Sequence, residues 1–362
     1  MKSLSFKKNK PRFKEKFLID IEKEKELLDY LKATKLIDVN NPVRINRFSG
    51  GVSSKVIQVS LQNDSFVIKQ SLSKLRVKDD WFSDIRRIIT ERKCLEVYNR
   101  IVPDYVPRIL HYDDQNYLFV MESAPKESMP WKALLLNGNI DYNIGEKAAY
   151  ALARVHEVTS RDSDIKNEFK DDRFFIELRI EPYLKTINNR HPKLEQHIQY
   201  AINYLLKYKT VLVHGDYSPK NILVADNGIL ILDFEVAHWG NPIFDLAFLT
   251  NHFLLKSIKN KKWANSYLNI MLFLVDTYFK NRPSVNRKEM EQKTILVLAL
   301  LFLARVDGKS PAEYITKEKD KNTIRKLSYS ILQEKIESFQ KLIELFKLHL
   351  SSQGKIYEKR YN

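Results

Sequence analysis

Residues 211–235 read VLVHGDYSPKNILVADNGILILDFE, and this stretch constrains the chain most tightly. Two short β-rich segments, Asn221–Val224 and Ile229–Leu232, flank Ala225-Asp226-Asn227-Gly228. An Asn-Gly pair between two such segments predicts a hairpin. Asp216 precedes the hairpin, Asn221 opens it and Asp233 follows it, so closing the turn gathers a carboxylate, an amide and a second carboxylate at one end. Phosphoryl transfer needs such a set. One carboxylate orients and deprotonates an attacking hydroxyl, while an amide and a carboxylate hold Mg²⁺ against nucleotide phosphates.

The order His-Gly-Asp-x-x-x-x-Asn and then Asp-Phe-Glu is similar to the paired H-R-D-x-x-x-x-N and D-F-G motifs of protein kinases. Together with Gly240–Ala247 (GNPIFDLA), it resembles the aminoglycoside phosphotransferase and choline kinase-like superfamily of small-molecule kinases. The resemblance implies an α+β, protein-kinase-like bilobal fold, with a small β-rich N-lobe and a larger, mostly α-helical C-lobe. It implies Asp216 as catalytic base and Asn221 and Asp233 as ligands of Mg²⁺ with bound ATP, GTP remaining open. His214 and Asp245 would then brace the catalytic loop structurally.

Hydrophobic periodicity sets out the elements. Residues 19–36 predict a leading helix, preceded by a basic tail, together 1–36. Strands are expected at Val43–Phe48, Lys55–Leu61 and Ser65–Gln70, a helix at Ile85–Arg100, and strands at Arg108–Tyr112 and Tyr117–Met121. These make an N-lobe over 37–123. Helices are expected at Asn143–Val158, Arg173–Ile187 and Leu194–Tyr208 before the hairpin. Ile243–Leu255, Trp263–Lys280, Lys288–Leu303 and Thr323–His349 follow it, so 124–362 form a helical C-lobe carrying the hairpin 211–235 and the acceptor site.

The nucleotide side has its own signals. Between the first two strands, Phe48-Ser49-Gly50-Gly51-Val52-Ser53-Ser54 supplies a glycine turn whose amides can approach phosphate oxygens, with the hydroxyls of Ser53 and Ser54 as further donors. Lys69, in Phe66-Val67-Ile68-Lys69, resembles the strand lysine that contacts the α- and β-phosphates; a merely exposed strand lysine is the plainer alternative. Glu91 on the following helix is its expected partner, with Glu96 as the substitute. Met121, Glu122 and Ser123 resemble the hinge that binds adenine through its backbone.

Composition narrows the class. Hydrophobic residues make up 44% and charged residues 29% of the 362, as in a soluble globular protein. The single cysteine, Cys94, permits no intrachain disulfide, fits a reducing compartment and occupies an apolar helix position expected in the core. Met1–Lys16 lacks the apolar run of a signal peptide, and the most apolar segment, Ile295–Ala304, is too short to span a bilayer; the expected location is cytoplasmic, off the membrane. The net charge of +16 is uneven. Residues 1–16 hold seven basic and one acidic residue, 251–362 hold twenty-two and eleven, and 17–250 hold thirty-two and thirty-three. The excess lies at the ends, interspersed with acidic residues and without interleaved aromatics. That pattern fits a lysine-rich solvated surface better than a nucleic-acid face.

The acceptor is therefore expected to be a small-molecule hydroxyl on a sugar, amino alcohol or aminoglycoside. Pro242 follows Asp233 by nine residues, leaving no room for a long activation loop and arguing against a protein substrate. Glu235 stands where protein kinases carry the last glycine of D-F-G and, with Arg305, is a candidate substrate contact. Ala304–Pro311 predicts a loop between helices. From it Arg305 could close on an anionic or polyhydroxyl substrate, or simply satisfy a helix C-terminus. Val67–Arg92 is similar to methylthioribose kinases, which makes a sugar kinase of that kind the alternative acceptor class. Asn221 departs from that family, and no acidic cluster invites a polycation. Two rivals remain: a nucleotide-binding pseudokinase that regulates a partner, and a basic nucleic-acid-binding protein. Oligomeric state is left open.

Overall fold

The computed structural model describes residues 19–38, 42–48, 53–62, 64–76, 82–225 and 228–351. Helix α1 (Glu24–Ala33) leads into five antiparallel strands: β1 (Arg44–Arg47), β2 (Ser54–Ser60), β3 (Ser65–Ser71), β4 (Ile109–Asp113) and β5 (Leu118–Glu122). Their order in the sheet is β1-β2-β3-β5-β4, with helix α2 (Arg87–Ile101) inserted between β3 and β4. The three strands, one helix and two strands expected from the sequence are all present, shifted by a residue or two.

The period of two along the strands decides what this sheet does. Ile57 and Val59 of β2, Phe66 and Ile68 of β3, and Leu118 and Val120 of β5 point to one face and pack with Leu27 and Leu31 of α1. The alternate residues Val56, Gln58, Val67, Lys69 and Met121 point to the other face and line a cleft. Lys69 is on the cleft face because Phe66 and Ile68 need the core.

The rest is mainly helical. A short strand β6 (Met129–Pro130) and helices α3 (Trp131–Leu136), α4 (Tyr142–Thr159), α5 (Ser163–Glu168) and the single turn α6 (Arg173–Phe175) come first. A π-helix (Ile176–Lys185), α7 (Thr186–Arg190) and α8 (Glu195–Lys207) follow. Strand β7 (Val211–Val213) then pairs with β10 (His238–Gly240), and β8 (Ile222–Ala225) with β9 (Gly228–Ile231). The expected hairpin forms, although Asp226 and Asn227 at its tip lie outside the described residues. Helices α9 (Ile243–Lys259), α10 (Ala264–Lys280), α11 (Arg287–Asp307), α12 (Glu318–Gln333) and α13 (Phe339–Ser351) complete the chain. One continuous core joins them to α2, with Cys94 buried in it as expected and its thiol pushed up by burial.

Three expectations need correction. The helix expected over Arg173–Ile187 is not a single α-helix, because Pro182 lies within it and has no N–H to give. The middle ten residues adopt the wider π ladder instead. The helix expected over Thr323–His349 is two helices, broken near Lys335, whose φ of +50° leaves the helical region. Finally, α11 runs to Asp307, so Arg305 belongs to a helix and not to the expected loop. Its burial among α9 and the π-helix, rather than local sequence, carries the helix that far. Among the described residues no helix is long and apolar enough to cross a membrane.

Candidate active site

The cleft between the sheet and the helical body has a volume of about 850 Å³. On its sheet side Lys69, 3% exposed, places Nζ 2.6 Å from Glu91 Oε1 and 2.5 Å from Asp233 Oδ1. Glu91 is therefore the partner, as expected, while Glu96 is taken by Arg92 at 2.9 Å. Burial alone would push the Lys69 ammonium down, but Asp233 and Glu91 outweigh it and hold it above the usual lysine range. Burial would likewise push the Asp233 carboxyl up, and Lys69 overrides this to keep it below the usual carboxylate range. Asp233 has a φ of +64°, a conformation that costs a non-glycine residue about 1–3 kcal/mol. It holds the carboxylate beside Lys69 while leaving the side chain 40% exposed to the cleft.

Asp216 sits across this cleft. Its Oδ2 accepts a hydrogen bond from Asn221 Nδ2 at 2.7 Å, and the same amide donates to the Asp216 carbonyl at 3.0 Å. Its Oδ1 is paired with Arg179 Nη2 at 2.8 Å. Arg179, from the π-helix, also donates to the carbonyls of Gly215 (2.7 Å) and Leu178 (2.6 Å), so the guanidinium fixes both the carboxylate and the backbone before it. Arg179 was not singled out from the sequence. Its one signal is position: it interrupts the stripe Phe175, Arg179, Tyr183, otherwise apolar and buried.

The loop bearing Asp216 is braced from below. Asp245, fully buried at the start of α9, accepts from the amides of His214 (2.7 Å) and Gly215 (2.8 Å) and from His156 Nε2 (3.2 Å). Burial would raise the Asp245 carboxyl, but His156 and these amides hold it below the usual range. His214 donates from Nε2 to the Leu232 carbonyl and accepts the Asp216 amide at Nδ1, each at 3.2 Å. It bridges the loop to the strand ahead of Asp233, and burial keeps it neutral by lowering its pKa. Gly215 has a φ of +78°, and a Cβ there would stand 2.8 Å from the Val236 carbonyl oxygen. This position is closed to any residue but glycine. Phe234 fills the space between Tyr98 of α2 and His214, with ring centroids 4.7 and 4.6 Å away.

Glu235 lines the cleft but is occupied: its Oε2 pairs with Arg87 Nε at 2.9 Å. Arg87, fully buried and also missed from the sequence, donates to the carbonyls of Ser53 and Leu72 as well. It thus ties the sheet, α2 and the segment after Asp233 together through Glu235. Ser53 and Ser54 line the cleft, and among the described residues Ser54 Oγ has no partner; Gly50 and Gly51 lie outside the described residues. At the expected hinge, Met121 and Glu122 line the cleft. The Glu122 amide is already bonded to the Arg108 carbonyl at 3.0 Å and its carboxylate to the Arg108 guanidinium, while Ser123 Oγ accepts from Gln58 at 3.4 Å. Arg305 lines the far part of the cleft, bonded to Tyr183 Oη at 3.2 Å and to Ser310.

Among the described residues no three His, Cys, Asp or Glu side chains are placed to hold a metal ion by themselves. One exposed carboxylate and one amide beside a cleft suit a hard cation that completes its shell with phosphate and water.

The family model described as the phosphotransferase enzyme family matches residues 44–263. Methylthioribose kinases from Bacillus cereus (strain G9842) and Bacillus mycoides (strain KBAB4) are 24% and 23% identical over 281 and 283 residues. The first alignment covers 70% of each chain, the second 71% of this chain and 72% of the relative. Among solved structures, a choline kinase from Cryptosporidium parvum Iowa II superposes with a TM-score of 0.56 at 14% identity, over 88% of this chain and 99% of that one. An amicoumacin kinase, solved with AMP-PNP, Ca²⁺ and its antibiotic, superposes with a TM-score of 0.54 at 14% identity, over 87% and 96%. These likenesses establish the protein-kinase-like fold.

Proposed function

The chain belongs to the phosphotransferase enzyme family and is a small-molecule kinase, and we propose that it moves the γ-phosphoryl group of ATP to a hydroxyl of a small molecule with Asp216 as base. The observation that carries this reading is the facing of two sets across one cleft: Lys69, Glu91 and Asp233 on one side, Asp216, Asn221 and Arg179 on the other.

Lys69, held by Glu91, would meet the α- and β-phosphates, and Ser53, Ser54 and the turn at Gly50-Gly51 would cover them. Asp233 and the oxygen of Asn221 would hold Mg²⁺, which supplies charge neutralisation between the phosphates. Met121 to Ser123 would seat the adenine through backbone groups. The Asp216 carboxylate, fixed on both oxygens by Asn221 and Arg179, presents its remaining lone pairs to the acceptor hydroxyl and takes its proton as the oxygen attacks in line. His214 and Asp245 would maintain the loop without touching substrate.

A coupled ADP-release assay over sugars, amino alcohols and aminoglycosides, with Mg²⁺ and ATP, tests this. Asp216→Asn should reduce turnover by about 10²-fold or more while ATP still binds; undiminished turnover by a pure variant would sink the mechanism. A sugar acceptor of the methylthioribose kind is the second reading, favoured by the identity to those kinases, and methylthioribose itself belongs in the assay.

A further inference from the structure

Outward from Asp216 the cleft holds polar groups that phosphoryl transfer does not use. Arg179 lies against the rings of Tyr183 and Phe248, and beyond them stand Arg305, His252 and Tyr314. All three are at most 9% exposed. Yet His252 Nδ1 and Nε2, Tyr314 Oη and Arg305 Nε have no hydrogen-bond partner among the described residues. These three buried side chains line the same cleft, and each keeps at least one polar atom unpaired among the described residues. Leaving one such group unpaired costs about 1–3 kcal/mol, which a ligand able to pair with them would recover.

The charges specify what that is. The acidic groups here are Asp216 and Glu313, and each is already in an ion pair, with Arg179 at 2.8 Å and with Lys132 at 2.5 Å. Arg305 is bonded to neutral oxygens, those of Tyr183 and Ser310. Lys220 also lines the cleft, and its charge acts on both Asp233 and His252. One turn along α9 from His252, the wholly buried Lys256 finds the His252 carbonyl at 3.4 Å and the Tyr314 ring at 5.4 Å, and among the described residues no carboxylate pairs with it. Burial lowers Lys256 to about 7, and among the described residues the buried Arg305 guanidinium has no carboxylate at ion-pair distance, so an anion in this part of the cleft would be favoured.

We infer that the acceptor carries, beside its reacting hydroxyl, an anionic group — a carboxylate or a phosphate monoester — that docks against Arg305, His252 and Tyr314. This rests on the small-molecule kinase reading and deepens it: the hydroxyl lies toward Asp216 and the anion beyond Arg179. Polycations and amino alcohols meet Arg305, Lys132 and Lys220 in the same space and are rejected.

Calorimetry on the full chain loaded with Mg²⁺ and AMP-PNP tests the inference, since the nucleotide fills the phosphate positions first. Malonate and methyl phosphate are the anionic probes, one for each source of charge, and ethanolamine is the cationic one. At least one anion should bind at about millimolar strength or better. Tyr314→Phe, which keeps the ring, and Arg305→Gln should each weaken it about tenfold, the cost of one charge-assisted hydrogen bond. If AMP-PNP binds but neither anion does, if both variants bind it as well as the parent, or if ethanolamine binds more tightly, the anionic acceptor is overturned and the kinase reading stands. If AMP-PNP itself fails to bind, the kinase reading falls and the inference with it.

Discussion

Arg179 and Lys69 show how differently two cations can be written into a chain. Lys69 was legible because a strand alternates: Phe66 and Ile68 are apolar, so the residue after Ile68 must face the other way, and a glycine turn precedes it. Glu91 followed from the need to hold that lysine. Arg179 offers no such pattern, because its partners arise only once the π-helix is laid against the loop that follows β7. Its proposed task is positioning the base. Arg179→Lys replaces a fork that spans Asp216 and the Gly215 carbonyl with a single ammonium. Steady-state kinetics should show kcat reduced about 10–100-fold with KM for ATP unchanged, and Arg179→Gln should lose more. A parallel change in KM for ATP would place Arg179 in the nucleotide site instead.

The elements hold one another through a buried chain of hydrogen bonds. Arg282 donates to Tyr278 Oη at 2.9 Å, Tyr278 meets His156 Nδ1 at 2.8 Å, and His156 Nε2 meets Asp245. With Asp245 accepting, His156 carries its proton on Nε2 and accepts the tyrosine hydroxyl at Nδ1. The chain therefore runs from the end of α10 through α4 to α9 and the amides beneath Asp216. Tyr278→Phe leaves a buried guanidinium nitrogen and a buried imidazole nitrogen unpaired, and urea unfolding should report about 1–3 kcal/mol of lost stability. A change below about 0.5 kcal/mol would mean that the contacts are made without energetic coupling. The element boundaries that sequence reading missed have local causes, namely Pro182 in the π segment and Lys335 between α12 and α13. The extension of α11 to Asp307 has a tertiary one, since Arg305 is buried against Tyr183.

Four histidines, His156, His214, His238 and His252, are buried through the helical body, and burial lowers the pKa of each below its usual 6.5. His238 is brought down to about 4. In the unfolded chain these rings take up protons below pH 6.5, while in the folded protein they remain neutral. The unfolded state thus binds more protons, and stability must fall as pH drops through this window. His238 alone accounts for about 3 kcal/mol between pH 6.5 and 4. Urea midpoints measured from pH 7 to 5 should decline steadily; a flat profile would contradict the neutral buried rings. By itself the sequence determined the order of the chemical groups: a glycine turn, a strand lysine, a helix carboxylate, Asp216, Asn221 and Asp233. Each stands in a local pattern of turn, strand period or motif spacing, which near neighbours suffice to write. Tertiary structure alone decided which charges pair: Arg87 with Glu235 and Arg179 with Asp216, while Arg305 lies near His252 and Tyr314 with no carboxylate partner among the described residues. Charge pairing over such separations depends on where whole helices come to rest, and burial of their apolar faces sets that position, not the residues that carry the charge.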